Sequence, residues 1–409
     1  MKRLLALMLC FFLLTACTRQ EVPVNTTMPS ASTASTTVAA PELTGLTGEN
    51  ADNNYLVYNN FECMSESDSV IYKLVNARTS IYYYDKASGI SGPLCGNPDC
   101  NHTTQDCEAF IGSAMALQYY NGNLYFIAGD LNSSSGMWLW KADVNGKNRE
   151  KLKQIDVPNI IMIYQPQCYF IHRDRLFLLC LTYDIKNGVP MSHTAVLSSP
   201  LDGSEEFTIL WEEKSESVLE YTYQFSDQYV YIALVTDGDA VNIFRLNFLD
   251  GTMESLFSEE NNAYIYGGIH LTEQNELYLS GSDATAVYAW KIENGQKVNT
   301  ITIESDSEYP PKILDGLVID TRQNEDNKRV ATVKTLSGET IYDGLLFPNG
   351  IPEIESELDV NTCNYGEVGG TGSLIAFYMG ADAYGTKPAE YIVYLDTAQN
   401  MKPIYIFPC

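Results

Sequence analysis

An all-β fold, specifically a β-propeller, is what this sequence predicts, and three observations predict it. The chain carries 28 tyrosines among many β-branched residues, and both residue classes favour strands. Tight-turn dipeptides recur at intervals close to the length of a four-stranded blade. Helical periodicity is scarce, and no second long apolar stretch follows the leader.

The leader comes first. Met1-Lys2-Arg3 supplies a positive start, and Leu4 to Leu14 is apolar but too short for a membrane span, which needs about 20 residues. Leu14-Thr15-Ala16-Cys17 has the form of a bacterial lipobox, in which small residues precede the cysteine that is lipidated and becomes the mature N-terminus. An ordinary secretory signal cut nearby is the alternative. Residues 1–16 are therefore expected to be a lipoprotein signal peptide and Cys17 the lipidation site. Residues 17–47 are rich in Thr, Ser, Pro and Ala, lack aromatics, and read as a flexible tether. Residues 48–409 are the expected propeller.

The unit is cleanest from Ala116 to Ile155. Leu117 to Tyr119 reads as a strand, Asn121-Gly122 as a tight turn and Leu124 to Ala128 as a second strand. Met137 to Asp143 is a third, and Asn145-Gly146 turns the chain into a fourth, Glu150 to Ile155. The second turn can be followed along the chain as Ser88-Gly89, Asn145-Gly146, Asp202-Gly203, Asp250-Gly251, Asn294-Gly295, Ser337-Gly338 and a degenerate Gln399-Asn400. The intervals run from roughly 43 to 62 residues. Seven such turns predict seven four-stranded blades, or eight if a long interval hides one. A lone blade has two apolar faces and cannot bury both; stacking blades around an axis buries them and leaves only short edges.

The run Trp140-Lys141-Ala142-Asp143-Val144-Asn145-Gly146-Lys147-Asn148-Arg149 resembles the aromatic-x-x-D-x-(D/N)-G-x-x-(K/R) hairpin of low-density-lipoprotein-receptor-type (YWTD-like) propellers. With the lipobox, the whole chain is similar to Gram-positive surface lipoproteins that share that repeat. The resemblance implies architecture and an address on the extracellular face of the cell membrane, and no activity.

A formal charge of -27 disfavours nucleic acid and anionic lipid head groups as partners. The densest chemical constellation is Cys95, Cys100, His102 and Cys107. Three Cys and one His within thirteen residues are the donors of a tetrahedral zinc site, although the spacing is not that of a zinc knuckle. A disulfide-pinned loop, with Cys63 as the even partner, and free thiols are the competing readings. The scattered His172, His193 and His270 have no partner at ligand spacing, and no nucleophile elbow, phosphate loop or H-E-x-x-H motif occurs.

In each blade the loop between the second and third strands shares one end with the connections between blades. Those loops are expected to contain Asp130, Asp184, Asp237, Asp239, Asp283, Glu325, Asp326 and Asp382. A ring of such groups would attract calcium or another cation, or a hydroxyl-rich ligand. Asp and Asn are also ordinary loop residues, which is the plainer reading. The expected function is a non-catalytic binding or scaffold module for a glycan, a peptide or a surface protein. An extracellular glycan-active hydrolase or lyase using funnel carboxylates is the alternative.

Overall fold

The structure, a computed structural model, describes residues 55–58, 62–75, 79–129, 136–155, 160–161, 169–186, 189–213, 218–236, 240–260, 263–272, 274–307, 309–314, 316–346, 365–371, 374–379, 391–396 and 402–408. The chain divides into two units, Met1–Ala39 and Ala40–Cys409, and every described residue belongs to the second. Gln399-Asn400 and Cys17 lie outside the described residues.

The first sheet orders β1 (Tyr55–Tyr58), β2 (Glu62–Glu66), β3 (Val70–Val75), β4 (Ser80–Asp85) and β5 (Ser91–Pro93) side by side. The second contains β6 (Ala114–Tyr120), β7 (Asn123–Gly129), β8 (Met137–Asp143) and β9 (Glu150–Ile155). In the third, β10 (Ile160–Ile161), β12 (Arg175–Lys186), β13 (Val189–Pro200) and β14 (Thr208–Glu213) form the ladder, and β11 (Tyr169–His172) also pairs with β12. The fourth is β15 (Val218–Ser226), β16 (Tyr229–Thr236), β17 (Ala240–Asn247) and β18 (Met253–Glu260). The fifth is β19 (Ile265–Leu271), β20 (Leu277–Ser282), β21 (Ala286–Glu293) and β22 (Gln296–Glu304). The sixth is β23 (Lys312–Leu314), β24 (Leu317–Gln323), β25 (Arg329–Thr335) and β26 (Thr340–Leu345). The seventh is β27 (Tyr365–Thr371), β28 (Leu374–Met379), β29 (Tyr391–Asp396) and β30 (Lys402–Pro408).

The protein is thus an all-β propeller with six four-stranded blades, the second to seventh sheets, the third formed by β11 to β14 with the two-residue β10 added beside β12, and the expectation of seven equivalent blades is corrected. The first sheet departs because β1 adds a fifth strand inside β2. The turn that marks this sheet, Ser88-Gly89, lies at its outer side and carries no trace of the extra inner strand.

Neighbouring inner strands lie against one another around the ring: β2 by β6, β6 by β11, β15 by β19, β19 by β23, β23 by β27, and β27 by β1. Second strands are buried on both faces, as the stacking argument requires: Leu124 to Ala128 and Leu277 to Ser282 are buried throughout. Inner strands are also joined by side chain to backbone bonds. The Ser65 hydroxyl accepts from Tyr119 N at 2.7 Å. The Gln118 amide accepts from Ile171 N at 2.7 Å and donates to Ile171 O at 3.0 Å. His172 Nε2 donates to the Asp227 carbonyl at 2.6 Å, and the Gln224 side chain accepts from Leu271 N at 2.9 Å. Each bond satisfies a polar group that the packed interface would otherwise strand away from water.

The recurrent turn glycine has a second role at the outer side. Gly146, Gly203 and Gly295 have φ of 76°, 73° and 74°, a region that costs other residues strain. A Cβ on Gly203 would lie 2.7 Å from the Leu152 carbonyl oxygen, on β9 of the preceding sheet. A Cβ on Gly146 would lie 2.8 Å from the Glu108 carbonyl oxygen. The turn of one sheet therefore rests on the outer edge of the sheet before it.

Candidate metal centre

The edge under Gly146 is unusual. β5 pairs with β4 from Tyr84 to Tyr82, and Leu94 N then donates to Ile81 O at 2.9 Å. There the chain leaves the sheet. It returns at Ala109, whose carbonyl accepts from Ile81 N at 2.8 Å, and continues through the Ser80–Phe110 bridge to Ile111 N, which donates to Thr79 O at 2.8 Å. Residues 95–108 are thus an insertion in the outer strand of the first sheet, with both ends held by the backbone of Ile81. Most of the length between β5 and β6 thus loops out and back to the strand it left.

Local turns set the insertion's shape. Asn97 and Asn101 side chains accept from Asp99 N at 3.0 Å and Thr103 N at 3.4 Å, and Cys100 N and Cys107 N donate to Asn97 O at 3.2 Å and Thr104 O at 3.0 Å. His102 has a φ of 57°, and its carbonyl accepts from the buried Ser80 hydroxyl at 3.4 Å.

These turns bring the four predicted residues together. One ligand atom from each of Cys95, Cys100, His102 and Cys107 lies within 4.8 Å of the others. His102 Nδ1 is 3.3 Å from Cys107 Sγ. Two sulfurs accept backbone N–H groups: Cys100 Sγ from His102 N at 3.4 Å and Cys107 Sγ from Ala109 N at 3.3 Å. All three cysteines are free thiols. Cys107 is buried among Leu94, Ala109, Ile111, Leu117 and Leu124, and that burial pushes its thiol up to about 11. Burial also tends to raise Cys95, but hydrogen bonds with the Asn97 backbone and the neighbouring sulfurs outweigh it and hold the thiol below its ordinary value. The site can hold a metal ion with a Cys3His donor set.

Cys63 is not placed to complete a disulfide. It lies on β2, and the order β2-β3-β4-β5 puts it about three strand spacings, roughly 14 Å, from the outer strand that the insertion interrupts. Cys180 is buried in another sheet, where its thiol donates to Ala195 O at 3.7 Å, and Cys168, Cys363 and Cys409 lie outside the described residues.

The sequence reading missed what holds the insertion from across the interface. Arg149, at the end of the 140–149 hairpin, donates to Phe110 O at 2.6 Å, Cys107 O at 3.2 Å, Glu108 O, and its own Gly146 O at 3.1 Å. Glu108 caps the other end by accepting from Gly96 N at 3.1 Å and pairs with Lys147 at 3.4 Å. The signal was the final (K/R) of the hairpin motif, which was used as a mark of the repeat and not as a contact.

The acidic positions do not assemble into a described ring. Asp130, Asp237, Asp239 and Asp382 lie outside the described residues. Asp184 is not in a loop: it is inside β12, opposite Met191, because β12 and β13 extend to twelve residues each. Glu325 and Asp326 form the exposed β24–β25 turn, capped by Asn324. Asp283 is taken up locally, accepting from the Tyr288 hydroxyl at 2.7 Å and from Thr285 N at 2.7 Å, Thr285 Oγ1 at 2.8 Å and Ala286 N at 2.9 Å. Those bonds, the Tyr288 hydroxyl first, lower its carboxyl to about 2.

No family model matches the chain, and no curated protein matches it. Solved structures do. A puromycin hydrolase mutant superposes with a TM-score of 0.53 at 10% identity, over 88% of this chain and 55% of that one, so the chain spans about half the hydrolase's length. An oligogalacturonate lyase from Vibrio parahaemolyticus gives 0.47 at 8% identity, over 85% and 90%. A puromycin-hydrolyzing peptidase from Mycobacterium tuberculosis gives 0.41 at 11%, over 88% and 55%. The likeness supports the propeller fold and does not extend to chemistry.

Proposed function

We propose that the chain is a non-catalytic binding propeller, held on the outer face of the cell membrane by lipid on Cys17, and that its ligand is a glycan. The observation that carries this reading is an aromatic group at the connection end of the fifth sheet. Tyr288 and Trp290 are stacked at 5.2 Å and 12°, and Tyr264 meets Tyr288 edge-on at 5.5 Å. The Tyr288 hydroxyl is bound to Asp283, and Ile265, next to Tyr264, is 55% exposed. Lys297 lies 4.0 Å over the Trp290 ring and pairs with Glu259, which fixes the cluster from below. A flat aromatic beside a carboxylate suits a sugar ring, with its apolar face stacked and one hydroxyl donating to Asp283 Oδ2, where the described donor is the Tyr288 hydroxyl.

The state of Asp283 favours binding over acid catalysis. A carboxyl held near 2 is an acceptor throughout the physiological range and has no proton to give a leaving group. Peptide and surface-protein ligands, and the hydrolase or lyase alternative, become outcomes of one experiment. The purified Cys17→Ala chain, expected in the medium or as an uncleaved precursor without lipid, is incubated with a defined oligosaccharide pool. Saturable retention without products, lost in Tyr288→Ala, supports the proposal. Turnover of the pool points to the enzyme, and failure to retain any glycan removes the glycan reading. A Cys17→Ala chain that stays lipid-labelled in the membrane removes the anchor.

A further inference from the structure

We propose that Cys95, Cys100, His102 and Cys107 bind one structural zinc ion, and that this ion fastens the first sheet to the second through Arg149. The inference is independent of what the propeller binds.

The donor chemistry comes first. Three thiolates and an imidazole are the soft, nitrogen and sulfur set that selects zinc, and four protein ligands leave no open position for substrate. Ideal tetrahedral zinc–sulfur bonds of about 2.3 Å place neighbouring sulfurs roughly 3.8 Å apart. The four donor atoms here already sit within 4.8 Å of one another. On binding, the thiols release their protons to solvent and the imidazole coordinates in its neutral form.

The hydrogen bonds to the sulfurs fit metal-bound thiolates better than a disulfide. Backbone N–H groups point at Cys100 Sγ and Cys107 Sγ, where they stabilise negative sulfur. A disulfide would use two of three sulfurs and leave His102 idle, although His102 is held at a positive φ that puts its ring on Cys107. Such a backbone conformation costs energy and persists where the surroundings enforce it.

Arg149 makes the site a property of two sheets. Its guanidinium bonds the carbonyls of Cys107, Glu108 and Phe110, so it holds the last ligand and the strand that follows. Gly146 of the same hairpin rests on Glu108. Arg149 touches no donor atom, so it is a positioning residue: it fixes the backbone that aims Cys107 Sγ. Metal binding should therefore tighten the hairpin's hold, and losing Arg149 should weaken the metal.

The test uses the full-length chain, purified without chelator and away from air. The expected result is one zinc per chain with the cluster thiols reduced by mass, and, after cobalt exchange, the intense visible bands of a tetrahedral thiolate site. Cys95→Ser, at a half-exposed position, should abolish those bands, and His102→Ala should shift them and weaken zinc at least about tenfold. Arg149→Lys keeps the charge but not the fork, and should weaken zinc about tenfold in chelator competition with the cobalt bands unchanged in shape. A zinc-free chain, or a disulfide within residues 95–107, overturns the metal site. Zinc-loaded wild type with unaltered affinity in Arg149→Lys overturns the coupling and leaves the site standing.

Discussion

Two neighbouring seams of the ring make the same contact with different partners. Between the second and third sheets, the Gly203 turn rests on the carbonyl of Leu152, the bulged residue of the outer strand β9. Lys153 of that strand reaches back to the Glu205 carbonyl and lies 4.7 Å over the Phe207 ring. Between the first and second sheets, the Gly146 turn rests on the Glu108 carbonyl, which belongs to the insertion. Leu152 is flanked by Lys151 and Lys153, both paired with β8, whereas Glu108 lies in a segment that has left its sheet. The difference shows in what surrounds it: the Ile81 neck, the Arg149 fork, the buried Cys107, and the convergence of three sulfurs and an imidazole. The cluster stands where a strand is missing.

Substituting the two glycines should break the comparison most strongly. Gly146→Ala and Gly203→Ala each combine a positive φ with a Cβ under 3 Å from a carbonyl oxygen, and each is expected to lower stability by roughly 2–4 kcal/mol in thermal unfolding. Gly295→Ala, whose Cβ would sit 3.8 Å from Leu256 O, should cost only about 1 kcal/mol. A clamped insertion resists like a strand, so the first two should match. A cost at Gly146 no larger than at Gly295 would mean that the insertion yields.

A third seam titrates instead. His172, buried between Phe177, Phe225 and Phe248, binds Asp227 O, and burial lowers its pKa to about 4. The unfolded chain, near 6.5, binds the proton more readily, so stability is full above about 6.5 and falls as pH drops toward 4. The loss should approach roughly 2–3 kcal/mol across that window and be absent from His172→Asn, measured as melting temperature against pH. His270, lowered to about 4 by burial, contributes in the same direction to both proteins and cancels in the difference. Equal acid sensitivity in the two would remove His172 from the account.

Much of the scaffold was legible because each blade repeats one local grammar. The bounds read for Met137–Asp143 and Glu150–Ile155 are those of β8 and β9, since the Asn145-Gly146 turn separates the two strands. The four cluster residues were legible as a group because their spacing is local. What escaped was non-local. β1 joins the sheet by backbone pairing with β2, and Arg149 acts on carbonyls 39 to 42 residues away, which carry no sequence signature. Asp184 was misplaced because loop ends were judged by polarity, while the β12–β13 ladder runs on to Lys186 and Val189.

Hydrogen exchange read by mass spectrometry, on the full-length chain with zinc loaded and then removed by chelator, tests the central claim most directly. Amides of residues 94–111 and of the 143–149 hairpin should exchange faster once the metal is gone, while the equivalent 200–204 turn, seated on β9, keeps its protection. Equal loosening of both turns, or no change at either, would contradict the account.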